Sequence, residues 1–119
     1  MNKIISTINA TIGGESVNAV NARELWVFLN VKTQFKDWIT RRIEEYGFEE
    51  GKDFSSILSK SKGRPSKDYI ISLDMAKELA MVENNDRGRQ ARQYFIEIER
   101  NSRRIEMAVN NQIAAIIPI

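Results

Sequence analysis

Two clusters of basic side chains are the residues of this sequence best suited to binding chemistry. Residues 60–67 carry four positive charges without an acid, and residues 87–92 carry three. Guanidinium and ammonium groups gathered in this way bind phosphates or carboxylates, although charge runs more often form a solvated surface. The candidate residues for binding nucleic acid or a protein partner are Lys60, Lys62, Gly63, Arg64, Lys67, Arg87, Arg89 and Arg92.

The composition of the 119-residue chain removes most catalytic chemistry. The sequence contains no Cys and no His, which excludes a thiol nucleophile, a catalytic triad with histidine and the commonest zinc ligands. No pair of carboxylates stands out in an apolar setting, and no glycine-rich stretch has the pattern of a phosphate-binding loop. We therefore expect a binding protein without catalytic residues, cofactor or metal.

Hydropathy and charge indicate one globular domain outside membranes. Hydrophobic residues make up 42% of the chain and charged residues 29%, which is enough apolar surface for a core. The net charge of +2 is unevenly distributed, since residues 60–119 carry eleven basic and eight acidic side chains. No apolar run is long enough for a signal peptide or a membrane span. We expect a cytoplasmic protein with no membrane partner.

Hydrophobic periodicity and turn residues predict the elements that position the basic clusters. The predicted elements are strands near 3–12 and 15–19, helices at 22–29 and 34–46, strands at 53–59 and 67–72, a third helix capped by Ser72 or Asp74, and a fourth helix after residue 85. Most aromatic side chains fall on the apolar faces of these elements, which favours core packing over a base-stacking platform. The sequence therefore predicts an α+β fold with four main helices, small N-terminal strands and a central β-hairpin in a winged-helix-like outline.

Capping residues predict where the helices begin and end. Asn21 and Thr33 are the expected N-caps of the first two helices, and Gly47 is the expected end of the second. Asp86 is the expected N-cap of the fourth helix. Gly88 lies in the first turn of that helix and predicts a weak start, because glycine is a poor helix former.

The first two helices and the hairpin after them suggest a DNA-reading arrangement with an imperfect match. A helix-turn-helix usually has a small residue at the position of Trp26 and glycine at that of Asn30, and the exposed Asp37 would repel phosphates. The Lys-Gly-Arg-Pro sequence at 62–65 resembles the core of an AT-hook, which places arginine in a narrow minor groove. An ordinary helix pair and an ordinary turn are the alternatives.

The fourth helix places arginines opposite an apolar face. They are Arg89, Arg92, Arg100 and Arg103. Glu97 and Glu99 lie three or four residues before the last two, so helical pairing explains Arg100 and Arg103 better than a phosphate contact does. Arg89 and Arg92 have fewer acidic neighbours and stay candidates.

An apolar stripe continues beyond residue 104 and predicts a helix that needs a partner. Its members are Ile105, Val109, Ile113 and Ile116. Such a stripe packs against another copy of the chain or against a downstream domain. We therefore expect a domain over residues 1–104 and a helical extension, or the start of a linker, over 105–119.

Six blocks along the chain, in order and at characteristic spacing, carry a family resemblance. They are Asn21–Leu25, Phe35–Ile43, Glu50–Phe54, Gly63–Tyr69, Asp74–Met81 and Arg87–Ile96. Together they cover about residues 18–101. This pattern resembles the AntA/AntB antirepressor domain of bacteriophages.

The resemblance implies a phage or prophage regulator without catalytic residues. Such domains usually form the N-terminal part of an antirepressor, which relieves repression by the phage repressor. They are similar to the Bro-N and KilA-N domains of large DNA viruses and phages, which are thought to bind DNA. The preferred hypothesis is binding of a repressor or other regulatory protein, with homo-oligomerisation through the last helix. The alternative is direct DNA binding through the hairpin tip and residues 87–92.

Overall fold

The computed structural model describes the backbone of residues 4–61 and 63–116 and the side chains of residues 4–58 and 65–105. Within these ranges it contains four helices and four strands, which confirms the predicted α+β class. The elements are β1 (Thr7–Ile12), β2 (Glu15–Asn21), α1 (Ala22–Leu29), α2 (Phe35–Tyr46), β3 (Phe54–Ser61), β4 (Arg64–Ser72), α3 (Leu73–Glu83) and α4 (Asp86–Ile116).

The four strands form one antiparallel sheet in the order β1-β2-β4-β3. The β1–β2 hairpin turns at Gly13 and Gly14, as predicted, and the ends of β2 and β4 pair at Ala19–Asn21 and Ile70–Ser72. The sheet therefore unites the two hairpins. The predicted winged-helix outline is not confirmed.

The β3–β4 hairpin is longer than predicted, and its tip is narrower. Pairing extends to Ser61 and Arg64, which leaves only residues 62 and 63 between the strands. Pro65 is tolerated inside β4 because of its register. The Ser72 amide donates to the Asp53 carbonyl oxygen, on the β3 side, at 2.8 Å. Because amide directions alternate along a strand, the amide positions of odd-numbered residues of β4 point away from β3. Proline at position 65 therefore removes no hydrogen bond between β3 and β4.

Several predicted helix boundaries are confirmed by side-chain geometry. The Asn21 side chain accepts a hydrogen bond from the Arg23 amide at 2.9 Å, and Ser72, one of the two predicted caps of α3, accepts from the Met75 amide at 3.1 Å. Gly47 ends α2 with a φ of 67°, a left-handed conformation that glycine adopts without strain.

Two predicted caps are wrong by one residue. The N-cap of α2 is Gln34 rather than Thr33, and its side chain makes no capping bond. At α4 the Asn85 side chain accepts from the Gly88 amide at 2.7 Å, so Asp86 is the first helical residue instead of the cap. Asn and Asp cap helices about equally well, so residue type alone does not decide between Asn85 and Asp86.

The helices pack on one face of the sheet and form the main core. Its largest fully buried side chains are Phe95, Ile5, Leu25, Leu29, Ile39, Ile71, Met75, Leu79 and Val20. Six aromatic residues are buried as predicted, namely Phe35, Trp38, Phe54, Tyr69, Tyr94 and Phe95, whereas Tyr46 is exposed. A smaller cluster of Ile12, Ala19 and Ile70 covers part of the other face.

An ion-pair network joins α3 to α4. The Lys77 ammonium lies 2.7 Å from a Glu99 carboxylate oxygen and 3.1 Å from an Asp74 oxygen. Arg103 lies 3.6 Å from Glu99, which confirms the pairing predicted from their spacing. Hydrogen bonding to Glu99 raises the pKa of the Lys77 ammonium above its ordinary value of 10.5, against the smaller opposing effect of burial.

We expect the contribution of Lys77 to stability to be lost in alkali. Because its folded pKa is raised, the ion pair stabilises the fold fully below pH 10.5, and the contribution declines as pH rises through the folded pKa. The side chain is 24% exposed, so Lys77→Met should cost about 1 kcal/mol near neutral pH. Urea denaturation of both proteins between neutral and strongly alkaline pH measures the difference. A gap that stays constant throughout, or one matched by the exposed control Lys52→Met, contradicts this expectation.

Candidate binding groove

The β3–β4 hairpin and the connection between α1 and α2 border an open groove of about 1120 Å³, here called the hairpin groove. Four cationic side chains line it: Arg23, Lys32, Lys36 and Lys67. No carboxylate is among the described residues that line it. The groove therefore concentrates positive charge in a concave surface, where it attracts anionic ligands more strongly than on a flat one.

Arg23 is fixed at the start of α1 by two contacts. Its Nε donates to Asp68 Oδ1 at 3.0 Å, and its guanidinium carbon lies 4.3 Å from the centroid of the Phe35 ring. A guanidinium over an aromatic face gains a cation–π attraction. Because the Asp68 carboxylate offsets part of its charge, Arg23 shapes the groove wall more than it contributes net charge.

The three lysines carry the available charge of the groove. All three are exposed, and none forms an ion pair with another described side chain. Lys36 lies in the first turn of α2, and Lys32 lies in the connection before it. The Trp26 indole holds that connection in place by donating to the Thr33 carbonyl at 2.9 Å.

A row of aromatic rings forms the floor of the groove. Phe35 contacts Trp26 and Tyr69, with ring centroids 5.8 and 6.1 Å apart. Cations lie over two of these rings, since Arg23 covers Phe35 and the Lys67 ammonium lies 5.2 Å from the Tyr69 centroid. Phe35 and Tyr69 are buried and each has a cation over one face, so these two rings are poorly placed for stacking bases.

The structure divides the predicted site residues between two places. Lys67 lines the hairpin groove, whereas Arg87, Arg89 and Arg92 lie at the start of α4 and do not line it. The Arg87 guanidinium lies 4.9 Å from the Phe28 centroid, and Arg89 pairs with Asp86 in the same helical turn. Arg92 is exposed.

The remaining predicted residues are described in part. Gly63 adopts a φ of 79° between the strands, and Ile105 is exposed on α4. The side chains of Lys60, Lys62, Arg64, Val109, Ile113 and Ile116 lie outside the described residues.

Sequence reasoning missed three of the groove cations. Arg23, Lys32 and Lys36 are isolated among neutral or acidic neighbours, so no charge run marks them. The fold brings them to the same side as Lys67 because the hairpin lies beside the α1–α2 connection. The sequence signal that could have indicated them is the position of Lys32 and Lys36, which lie on either side of the predicted start of the second helix.

Other kinds of site have no support in the described part of the chain. No three or more Asp or Glu side chains there are grouped so that they could hold a metal ion. None of the helices, over the same residues, is long and apolar enough to cross a membrane.

The comparisons with known proteins agree with five of the six blocks seen in the sequence, since the block Arg87–Ile96 lies beyond the matched residues. A family model described as AntA/AntB antirepressor matches residues 20–85, from the end of β2 to the connection after α3. Searches of curated proteins and of solved structures found no match. The matched segment covers more than half of the chain and includes all four groove cations. This chain belongs to the AntA/AntB antirepressor family.

Proposed function

We propose that this domain acts in a phage or prophage antirepressor by binding a repressor or another regulatory protein through the hairpin groove. The family supports an antirepressor role. One observation supports the choice of this surface: exposed lysines line the groove, and no carboxylate is among its described lining residues. The groove binds and performs no catalytic step, and the protein acts in the cytoplasm.

The chemistry of the groove favours a protein over a nucleic acid. Leu58 is 79% exposed and lines the groove together with Val31 and Pro65. Exposed apolar side chains beside cations are typical of protein interfaces, whereas a phosphate backbone gains little from them. Two of the three aromatic rings of the floor, those of Phe35 and Tyr69, are buried with a cation over one face, which disfavours a platform for bases.

Charge reversal in the groove tests this proposal. We expect the double variant Lys36→Glu and Lys67→Glu to bind the cognate phage repressor more than about tenfold more weakly, since two attractive contacts become repulsive. Calorimetry with the purified repressor measures the loss, and circular dichroism verifies folding. Lys52→Glu, an exposed lysine that does not line the groove, is the matched control. Equal affinities for all three proteins reject the groove as the binding surface.

DNA binding is the second candidate function, and the same lysines favour it. A cationic groove beside a β-hairpin can follow a phosphate backbone, with Arg92 at the start of α4 as a further exposed contact. A gel shift at low salt tests it: removing Lys67 should lower the salt slope by about one for each lost phosphate contact. Absence of any shift at low salt rejects this candidate.

Self-association through α4 is a further part of the proposal. Ile105 is a large apolar residue exposed on this helix, and exposed apolar residues on long helices favour coiled-coil pairing. Light scattering that gives the full chain the same oligomeric state as a chain ending at Arg104 rejects it.

A further inference from the structure

The outer edge of β3 is protected along only half of its length. β3 is the last strand of the sheet in the order β1-β2-β4-β3. The Phe54 carbonyl accepts from the Gly51 amide at 2.8 Å, and the Ser56 amide donates to a Glu50 carboxylate oxygen at 3.3 Å. The Ser56 hydroxyl donates to that same oxygen at 2.5 Å. The segment before β3 thus occupies the outward carbonyl of Phe54 and the outward amide of Ser56.

Leu58 is the next residue whose main chain faces outward. In an antiparallel ladder the amide and carbonyl of every second residue point away from the neighbouring strand, so Leu58 follows Phe54 and Ser56. Its side chain is 79% exposed on the face of the groove, and Ile57 is 47% exposed on the opposite face. Long edges with apolar side chains on both faces are rare in monomeric proteins because they attract another strand.

We propose that a protein partner adds an extended acidic strand to the edge of β3 at Leu58. This inference rests on the proposed function, of which it specifies the mode of binding. Main-chain hydrogen bonds to Leu58 supply affinity, and the side chains of the added strand supply specificity. Residues of the added strand that face the groove are acidic, and those on the other face are apolar and contact Ile57.

Charge complementarity determines the acidic character of the added strand. Lys67 is the direct cross-strand neighbour of Leu58, and Lys36 lines the same groove. Carboxylates on the groove face of an added strand therefore meet cations that form no ion pair with another described side chain. A second copy paired through β3 would instead place another cationic groove beside this one and not the carboxylates of an acidic strand, which disfavours that occupant. A DNA duplex cannot use the outward main-chain groups of a strand in this way.

A peptide of about ten residues that alternates Glu and Val, the length of a typical long strand, is the probe. Fluorescence anisotropy should show saturable binding to the full chain that weakens with added salt, and the same peptide with Lys in place of Glu should not bind. Hydrogen exchange should show slower exchange of the Leu58 amide in the complex.

Leu58→Pro separates main-chain pairing from side-chain contact. Proline removes an outward amide, so the ladder with β4 keeps its bonds. We expect about tenfold weaker peptide binding for Leu58→Pro, whereas the control Leu58→Thr, which keeps the amide, should lose only a few-fold. Peptides with N-methyl groups at alternate residues provide a second test that does not depend on the folding of a variant. One of the two alternating sets should abolish binding and the other should leave it intact.

Several outcomes would overturn the inference. They are no binding of the acidic peptide, equal binding by Leu58→Pro or by both N-methylated sets, equal binding of the lysine peptide, and dimerisation of the free chain that Leu58→Pro abolishes. Repressor binding that is sensitive to Lys36→Glu and Lys67→Glu but unaffected by Leu58→Pro removes strand addition and leaves the proposed function intact. Peptide binding as expected, without any binding of a regulatory protein, removes the proposed function instead.

Discussion

Replacing Gly88 by alanine should lower the free energy of unfolding by about 2 kcal/mol, although glycine is normally the poorer helix former. Gly88 lies where the first turn of α4 crosses α3. A Cβ atom there would lie 2.3 Å from the Ala80 carbonyl oxygen and 3.4 Å from its carbon. Both atoms belong to the backbone of a packed helix, so they cannot move aside as the end of a flexible side chain would. The two helices must separate, which costs more than the gain of about 1 kcal/mol in helix propensity.

Urea denaturation measures this effect, and Gln90→Ala is its control. Gln90 lies two residues further along α4 and is exposed, so its replacement should change the free energy of unfolding by no more than about 0.5 kcal/mol. A Gly88→Ala protein as stable as the parent would mean that α3 and α4 lie further apart than the structure places them.

Gly88 also illustrates a feature that the sequence alone could not predict, namely a close contact between two helices. The sequence predicted a weak helix start from the intrinsic cost of glycine, which is a local property. The reason for glycine is the backbone of Ala80, a contact between two helices that periodicity cannot reveal. Elements defined by local signals were predicted well, such as the turn at Gly13 and the end of α2 at Gly47. The sheet order depends on pairing between β2 and β4, which no local pattern specifies.

The candidate site was predicted only where charge is contiguous in the sequence. Lys67 belongs to a charge run, and it does line the groove. Lys32 and Lys36 line the same groove as Lys67 only because the hairpin lies beside the α1–α2 connection. Arg87 belongs to the other run, yet its guanidinium lies over the Phe28 ring. A charge run therefore identifies cations, while the fold decides which of them share a surface.

Glu83→Ala should lower the free energy of unfolding by about 2–3 kcal/mol, because this carboxylate joins α3 to α2. One Glu83 oxygen accepts from the Trp38 indole at 2.8 Å and from the Arg42 guanidinium at 3.3 Å. The Glu83 side chain is only 15% exposed, and Trp38 is buried. Truncation leaves a buried indole N–H without its acceptor, and it leaves the shielded Arg42 guanidinium with Glu45 as its one remaining ion-pair partner among the described residues.

Two variants divide this effect into its parts. Glu83→Gln keeps an oxygen acceptor for the indole and loses the charge, so it should cost about 1 kcal/mol, the difference between a neutral and a charge-assisted hydrogen bond. Glu45→Ala removes an exposed carboxylate that also contacts Arg42, and as a surface pair it should cost at most about 0.5 kcal/mol.

A double-mutant cycle with Trp38→Phe decides whether the indole bond is the reason. Phenylalanine removes the N–H that Glu83 accepts from, so Glu83→Ala should cost about 1 kcal/mol less in the Trp38→Phe protein than in the parent. Urea denaturation of the four proteins yields the coupling energy directly. A coupling near zero would show that Glu83 stabilises the fold through Arg42 alone. The contact between α2 and α3 would then depend on charge and should weaken with added salt, whereas an indole–carboxylate bond shielded from water should not.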